Sequence, residues 1–117
     1  MKVTSFKNSR SYETSEGRMT PLLVKENLSV IHLDLPKGLQ VQPHSHPHPG
    51  ILFLITGSIT MQGDEEITLH EGDIAEIPAD YTVGLYANEL SRAVLLSAPS
   101  RYRDMNELYD CFDKIFQ

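Results

Sequence analysis

Short apolar runs, each ended by a glycine or proline turn, recur along most of this chain and point to an antiparallel β fold. Residues 22–24 form a weak first run. Residues 28–35 form a strong one, stopped by Pro36-Lys37-Gly38, a turn whose glycine is free to take positive φ. Residues 39–46 are extended, but Pro43, Pro47 and Pro49 cannot donate to a ladder, so this strand belongs at an edge or runs into a loop. Residues 51–55 are apolar on both faces, as in a central strand. After Thr56-Gly57-Ser58 come strands over 59–62 and 66–69, joined by a hairpin at Gly63-Asp64-Glu65. The turn at His70-Glu71-Gly72-Asp73 leads to 74–77, which ends at Pro78, and 83–86 and 93–97 complete the set. Such spacing implies a closed or sandwiched all-β architecture.

The two ends differ from this pattern. Residues 1–20 are polar and rich in Ser, Lys and Glu, and they are expected to form an arm with a short strand at most. In the last segment Met105, Leu108, Tyr109, Phe112, Ile115 and Phe116 recur at three- and four-residue intervals, the apolar stripe of a helix. Asp104 followed by Glu107 is a capping box for its start. The expected division is an arm over 1–20, a barrel over 21–100 and an amphipathic helix over 101–117, the helix lying across the outside of the barrel or against a second subunit. At 117 residues the chain is one domain.

The chemistry concentrates in Gly38-Leu39-Gln40-Val41-Gln42-Pro43-His44-Ser45-His46. Histidines two apart on extended backbone face the same side. Paired imidazoles chelate a divalent metal: zinc, iron, nickel or manganese. Three of the five histidines, His44, His46 and His48, fall within five positions. A third ligand is needed, since catalytic zinc takes three protein ligands and non-haem iron two histidines and a carboxylate. His48 shares parity with the pair, although Pro47 and Pro49 interrupt the strand. Glu76 is the second candidate, if its strand turns it inward in place of Ala75 and Ile77. The bland alternative is a metal-free polar pocket. His32 lies mid-strand as a core or surface residue, and His70 belongs to an exposed turn.

Composition narrows the partners. A formal charge of -6 without a basic patch argues against nucleic acid. Cys111 is the only cysteine, so no internal disulfide forms, which fits a reducing compartment. The N-terminus has no apolar run, and no stretch approaches the roughly 20 apolar residues that span a bilayer. The expectation is a soluble cytoplasmic protein without membrane contact.

With these residues in place, the chain resembles a small single-domain cupin. That family carries Gly, five residues, His-x-His, three or four residues, Glu, six residues, Gly. Gly38, His44, His46 and Gly57 fit, whereas Gly50 stands where the family has glutamate. Its second motif is Gly, five residues, Pro-x-Gly, two residues, His. Gly72 and Pro78 fit, Asp80 replaces the second glycine, and Val83 stands where the last metal-binding histidine would be. The resemblance implies a double-stranded β-helix, the cupin or jelly-roll barrel, usually as a homodimer; with the C-terminal α-helix read above, the arm and that helix are the expected interface elements. Half of the usual centre of three histidines and one glutamate is absent. Gly50 and Val83 make the pocket roomier and drier, suited to a small, partly apolar ligand, with Glu76 and Tyr81 as further pocket residues.

Two function classes follow. One is a small-molecule-binding or sensor protein with a partial histidine metal site. The other is a metal-dependent enzyme, a dioxygenase or isomerase, using His44, His46 and His48 as ligands. A third reading is a free-standing relative of the sensory cupin half of larger transcription regulators, which would act through a partner.

Overall fold

The computed structural model describes residues 1–116. In chain order the elements are β1 (Tyr12–Thr14), β2 (Gly17–Lys25), β3 (Leu28–Leu35), β4 (Gln40–His44), β5 (Gly50–Thr56), β6 (Ser58–Gln62), β7 (Glu66–His70), β8 (Ile74–Ile77), β9 (Val83–Ala87), β10 (Ser91–Ser97) and α1 (Met105–Phe116). They form a six-stranded sheet, β1-β2-β3-β10-β5-β8, and a four-stranded sheet, β4-β9-β6-β7. Neighbouring strands are antiparallel throughout. This is the all-β double-stranded β-helix with a C-terminal helix.

Strand alternation sets the core. On β3, Ile31, Leu33 and Leu35 face inward, and on β5 Leu52 and Leu54 do. They meet Ile59, Met61 and Leu85 from the opposite sheet in one apolar cluster. Leu54 and Ile59 are fully buried, so truncating either to Ala costs about 2–5 kcal/mol. The alternate residues of β5, Ile51, Phe53 and Ile55, are exposed on the outer face, which no described segment covers. Gly57 closes the β5–β6 turn at φ 96°, and an added Cβ would strike Ser91 Oγ and Leu90 O. Only glycine fits both constraints.

The polar N-terminal segment is more ordered than its composition suggests. Strand β2 begins at Gly17, well before residue 22, and passes through Pro21 at an irregularity in its pairing with β3. Strand β1 adds an edge beyond it. Residues before β1 fold back over β3: the Phe6 ring lies 4.5 Å from His32, and Arg92 sits over Phe6. Under that cover His32 is only 4% exposed.

Helix α1 is capped much as its sequence indicates. Asp104 Oδ1 accepts the Glu107 N–H at 2.9 Å, and Glu107 reaches back to the Arg103 N–H at 3.3 Å. Its placement differs from expectation. It packs within its own chain against β1 and β2, where the Tyr12 ring meets Phe112 edge-on at 5.2 Å. The Tyr12 hydroxyl donates to Asp113 at 2.8 Å, and Arg10 reaches the same carboxylate. Phe112, Ile115 and Phe116 line the barrel cavity rather than crossing the barrel's outside. The end of the expected helical span, residue 117, lies outside the described residues. Among the described residues no helix is long and apolar enough to cross a membrane.

Candidate functional site

Between the sheets lies a half-open cavity of about 370 Å³. Leu33, Leu52, Met61, Leu85 and Leu95 wall its interior. Glu16, His44, His46, His48 and Tyr81, all half-buried, and the exposed Arg101 also line it, and their exposure marks its open end.

His44 is the last residue of β4, an edge strand. His46 and His48 follow in the proline-rich loop, beyond regular strand geometry. All three nevertheless line the cavity. The His44 and His46 rings meet edge-on with centroids 4.8 Å apart. Donor atoms of His44, His46 and Glu16 lie within 4.8 Å of one another, a spacing that could hold a metal ion. His48 stands outside that trio, with its Nδ1 buried and unpartnered. Glu76 is exposed and absent from the cavity lining, because Ala75 and Ile77 turn inward on β8.

Glu16 was not anticipated. It sits in the β1–β2 turn, where its N–H donates to Thr14 Oγ1 at 3.0 Å while the Thr14 hydroxyl donates to Gly17 O at 2.7 Å. This bracing carries the carboxylate across to the β4 edge, 3.0 Å from His44 Nε2. No sequence signal singles Glu16 out, since only the folded hairpin brings it there.

His44 is oriented for ligation. Its Nδ1 lies 2.9 Å from the Gln42 carbonyl, an acceptor, so Nδ1 carries the proton. Its Nε2 lone pair then faces the Glu16 carboxylate, itself an acceptor. Two acceptors at that distance repel unless a proton or a metal cation lies between them. Metal-binding histidines characteristically donate their second N–H to a carbonyl in this way.

His46 is tied to the site through its backbone. Its carbonyl accepts the Asp80 N–H at 2.7 Å, and Asp80 adopts φ 61°. Asp tolerates this left-handed conformation better than most residues, so it can stand where the resemblance calls for glycine. Burial pushes the His46 imidazole below its ordinary value, and the Arg101 guanidinium adds to the shift. The neutral form, which ligates metal, is thereby favoured.

The expected pocket residues fall into two groups. Gly50, Tyr81 and Val83 line the cavity, and Glu76 does not. Val83 pairs directly with His44 across β4 and β9, presenting an isopropyl group to the open end. Tyr81 packs against Gly63 and accepts the Asp64 N–H at 2.9 Å, pinning the 78–82 loop to the β6–β7 hairpin. His70 is exposed beside Asp73, as expected of a turn.

Residues 31–98 match the cupin domain family, Cupin_2. No curated protein matches the sequence. Among solved structures, an RmlC-like cupin from Shewanella frigidimarina is similar at TM-score 0.77 and 18% identity, covering 86% of this chain and 94% of that one. KdgF from a Halomonas species is similar at TM-score 0.75 and 21% identity, over 86% and 96% of the two chains. An oxalate decarboxylase gives TM-score 0.72 and 19% identity, over 87% of this chain and 31% of its own. At these identities the structural likeness establishes the fold, while the activities differ from neighbour to neighbour.

Proposed function

The chain belongs to the cupin family, and from that premise we propose that it is a small-molecule-binding or sensor cupin whose open end holds a divalent metal through Glu16, His44 and His46. The observation that carries this is the His44 ring: Nδ1 meets the Gln42 carbonyl, and Nε2 faces Glu16 at 3.0 Å. Two histidines and a carboxylate suit iron, and the same donor types suit zinc. Glu16 takes the place of the third ligand first sought in His48 or Glu76.

A metal-dependent enzyme, of the dioxygenase or isomerase class, is the second reading. Glu16 favours it, because a trio of protein ligands leaves coordination positions open toward the cavity. A bound ion would supply Lewis-acid or oxygen-activating chemistry there. The chain's own contribution is a dry apolar wall, with Tyr81 and His48 positioned around a bound molecule. In the version using His44, His46 and His48 as ligands, Glu16 is only a neighbour of His44.

Metal content measured by mass spectrometry after incubation with iron, zinc, nickel or manganese and dialysis separates these readings. We expect close to one ion per chain, lost in His46→Ala and Glu16→Ala and kept in His48→Ala. Retention in Glu16→Ala with loss in His48→Ala would install the three-histidine set instead. A wild-type protein that keeps no metal would leave a metal-free binding pocket. Turnover of any screened substrate only by the loaded protein would move the enzyme reading ahead.

A cytoplasmic homodimer completes the proposal. The arm and helix are engaged within the chain, so the second copy is better placed on the paired strands β5 and β8. Ile51, Phe53, Ile55 and Ile74 are exposed there, and Phe53 pairs with Ile74. Light scattering at micromolar concentration should give twice the chain mass, and Phe53→Glu should return it to one.

A further inference from the structure

We propose that the cavity takes a small carboxylate with an apolar body, the carboxylate held by Arg101 at the open end and the body inside the barrel. This rests on the small-molecule-binding reading above, but it does not depend on the metal.

Arg101 is the only lysine or arginine among the cavity-lining residues. It belongs to the segment between β10 and α1, so the C-terminal segment brings it to the same opening as the histidines. None of the ion pairs among the described residues includes it. Among the described residues Glu16 is the one carboxylate that lines the cavity, and it lies against His44 Nε2 rather than in an ion pair with Arg101. The Arg101 guanidinium lies 5.8 Å from the Tyr102 ring centroid, a contact that leaves its N–H groups without an ion-pair partner, and its planar fork matches a ligand carboxylate.

The interior sets the other half of the ligand. Leu33, Leu52, Met61, Leu85, Leu95 and Phe112 offer only hydrocarbon, sulfur and aromatic surface. Ser29 and Ser97 are the hydroxyl side chains other than tyrosine that line the cavity. A polyhydroxylated ligand would give up more hydrogen bonds to water than these groups can replace. An amine would be repelled by Arg101. At about 370 Å³ the space lies near the lower limit for small-molecule sites, so the body must be short.

Calorimetric titration of the whole protein with butanoate, hexanoate and octanoate, and with hexan-1-ol and hexylamine, tests this. Each titration is made after chelator treatment and again after zinc loading. We expect hexanoate to bind at least tenfold more tightly than hexan-1-ol, and hexylamine to be the weakest. Affinity should rise by about fourfold per added methylene until the cavity is full. Arg101→Gln should weaken hexanoate at least tenfold and leave hexan-1-ol unchanged, and Arg101→Lys should recover part of the loss. Arg101 is exposed, so both variants should keep the wild-type melting temperature as a check on folding. Hexanoate binding no tighter than hexan-1-ol, or unchanged by Arg101→Gln, would overturn the proposal. So would carboxylate binding seen only with zinc and indifferent to Arg101, which would make the metal the anchor. Arg101-dependent binding by a protein that retains no metal would uphold it while the metal centre falls.

Discussion

Two of the three histidine–carboxylate pairs among the described residues sit in different parts of this barrel and behave differently. At the open end His44 and Glu16 approach to 3.0 Å, and the far ring nitrogen of His44 meets a backbone carbonyl. Under the N-terminal segment His32 and Asp34 stand 3.7 Å apart, and neither ring nitrogen of His32 has a hydrogen-bond partner. Phe6 covers that ring, whereas His44 remains about one-third exposed. An acidic neighbour is common to both. What differs is the carbonyl behind the imidazole, which fixes the tautomer and frees one nitrogen for a ligand. His32 is instead a buried neutral group: burial pushes it below its ordinary value, with Asp34 opposing and Arg92 assisting the shift.

Removing the carboxylate from the first pair should have the largest effect. Glu16→Ala is expected to weaken metal binding by at least about 100-fold, beyond the usual cost of losing a supporting hydrogen bond to a ligand. The same titration on His32→Phe should give the wild-type constant. Equal losses in both variants would erase the distinction between the pairs.

Uncovering the second pair comes next. Phe6→Ala should cost about 1–2 kcal/mol in denaturant unfolding, since Phe6 is only half-buried. It should also raise the His32 titration toward its ordinary value, followed by the NMR shifts of its ring protons. Asp104→Ala removes the helix cap and should cost about 1 kcal/mol, leaving both pairs intact.

The smallest effect is the pH dependence of stability contributed by His32. Its folded value lies below 6.5, so as pH falls through 6.5 the unfolded chain takes up the proton first. The stability it contributes is therefore complete above that point and declines below it, until the folded ring also protonates. His32→Phe should flatten this part of the curve, whatever its effect on absolute stability. An unchanged slope would mean that His32 titrates alike in both states.

Much of the barrel was legible because glycine and proline interrupt strands for local steric reasons. The turns at Gly38, Gly57 and Gly72 all have positive φ, and the strands between them lie close to the expected spans. The arm was less legible, since β1 and the start of β2 are polar and form by pairing with one another and with β3. At the site, the His44–His46 pair was readable from the motif, and Val83 does lie opposite His44. The parity argument for His48 weakens because β4 ends at His44. Glu76 faces solvent because alternation on β8 gives the interior to Ala75 and Ile77.

By itself, then, the sequence determined the strand pattern, the helix and its cap, the histidine pair and the missing partners at Gly50 and Val83. These follow from turn sterics, side-chain periodicity and spacing along one segment. Tertiary structure alone decided that Glu16 would meet His44, that Arg101 would stand at the same opening, and that α1 would line the cavity. Those contacts join an edge hairpin, a proline-rich loop and a C-terminal segment distant in sequence. Local propensity carries no information about which remote segments a closed β-barrel brings to one end, because strand order is set by burial across the whole chain.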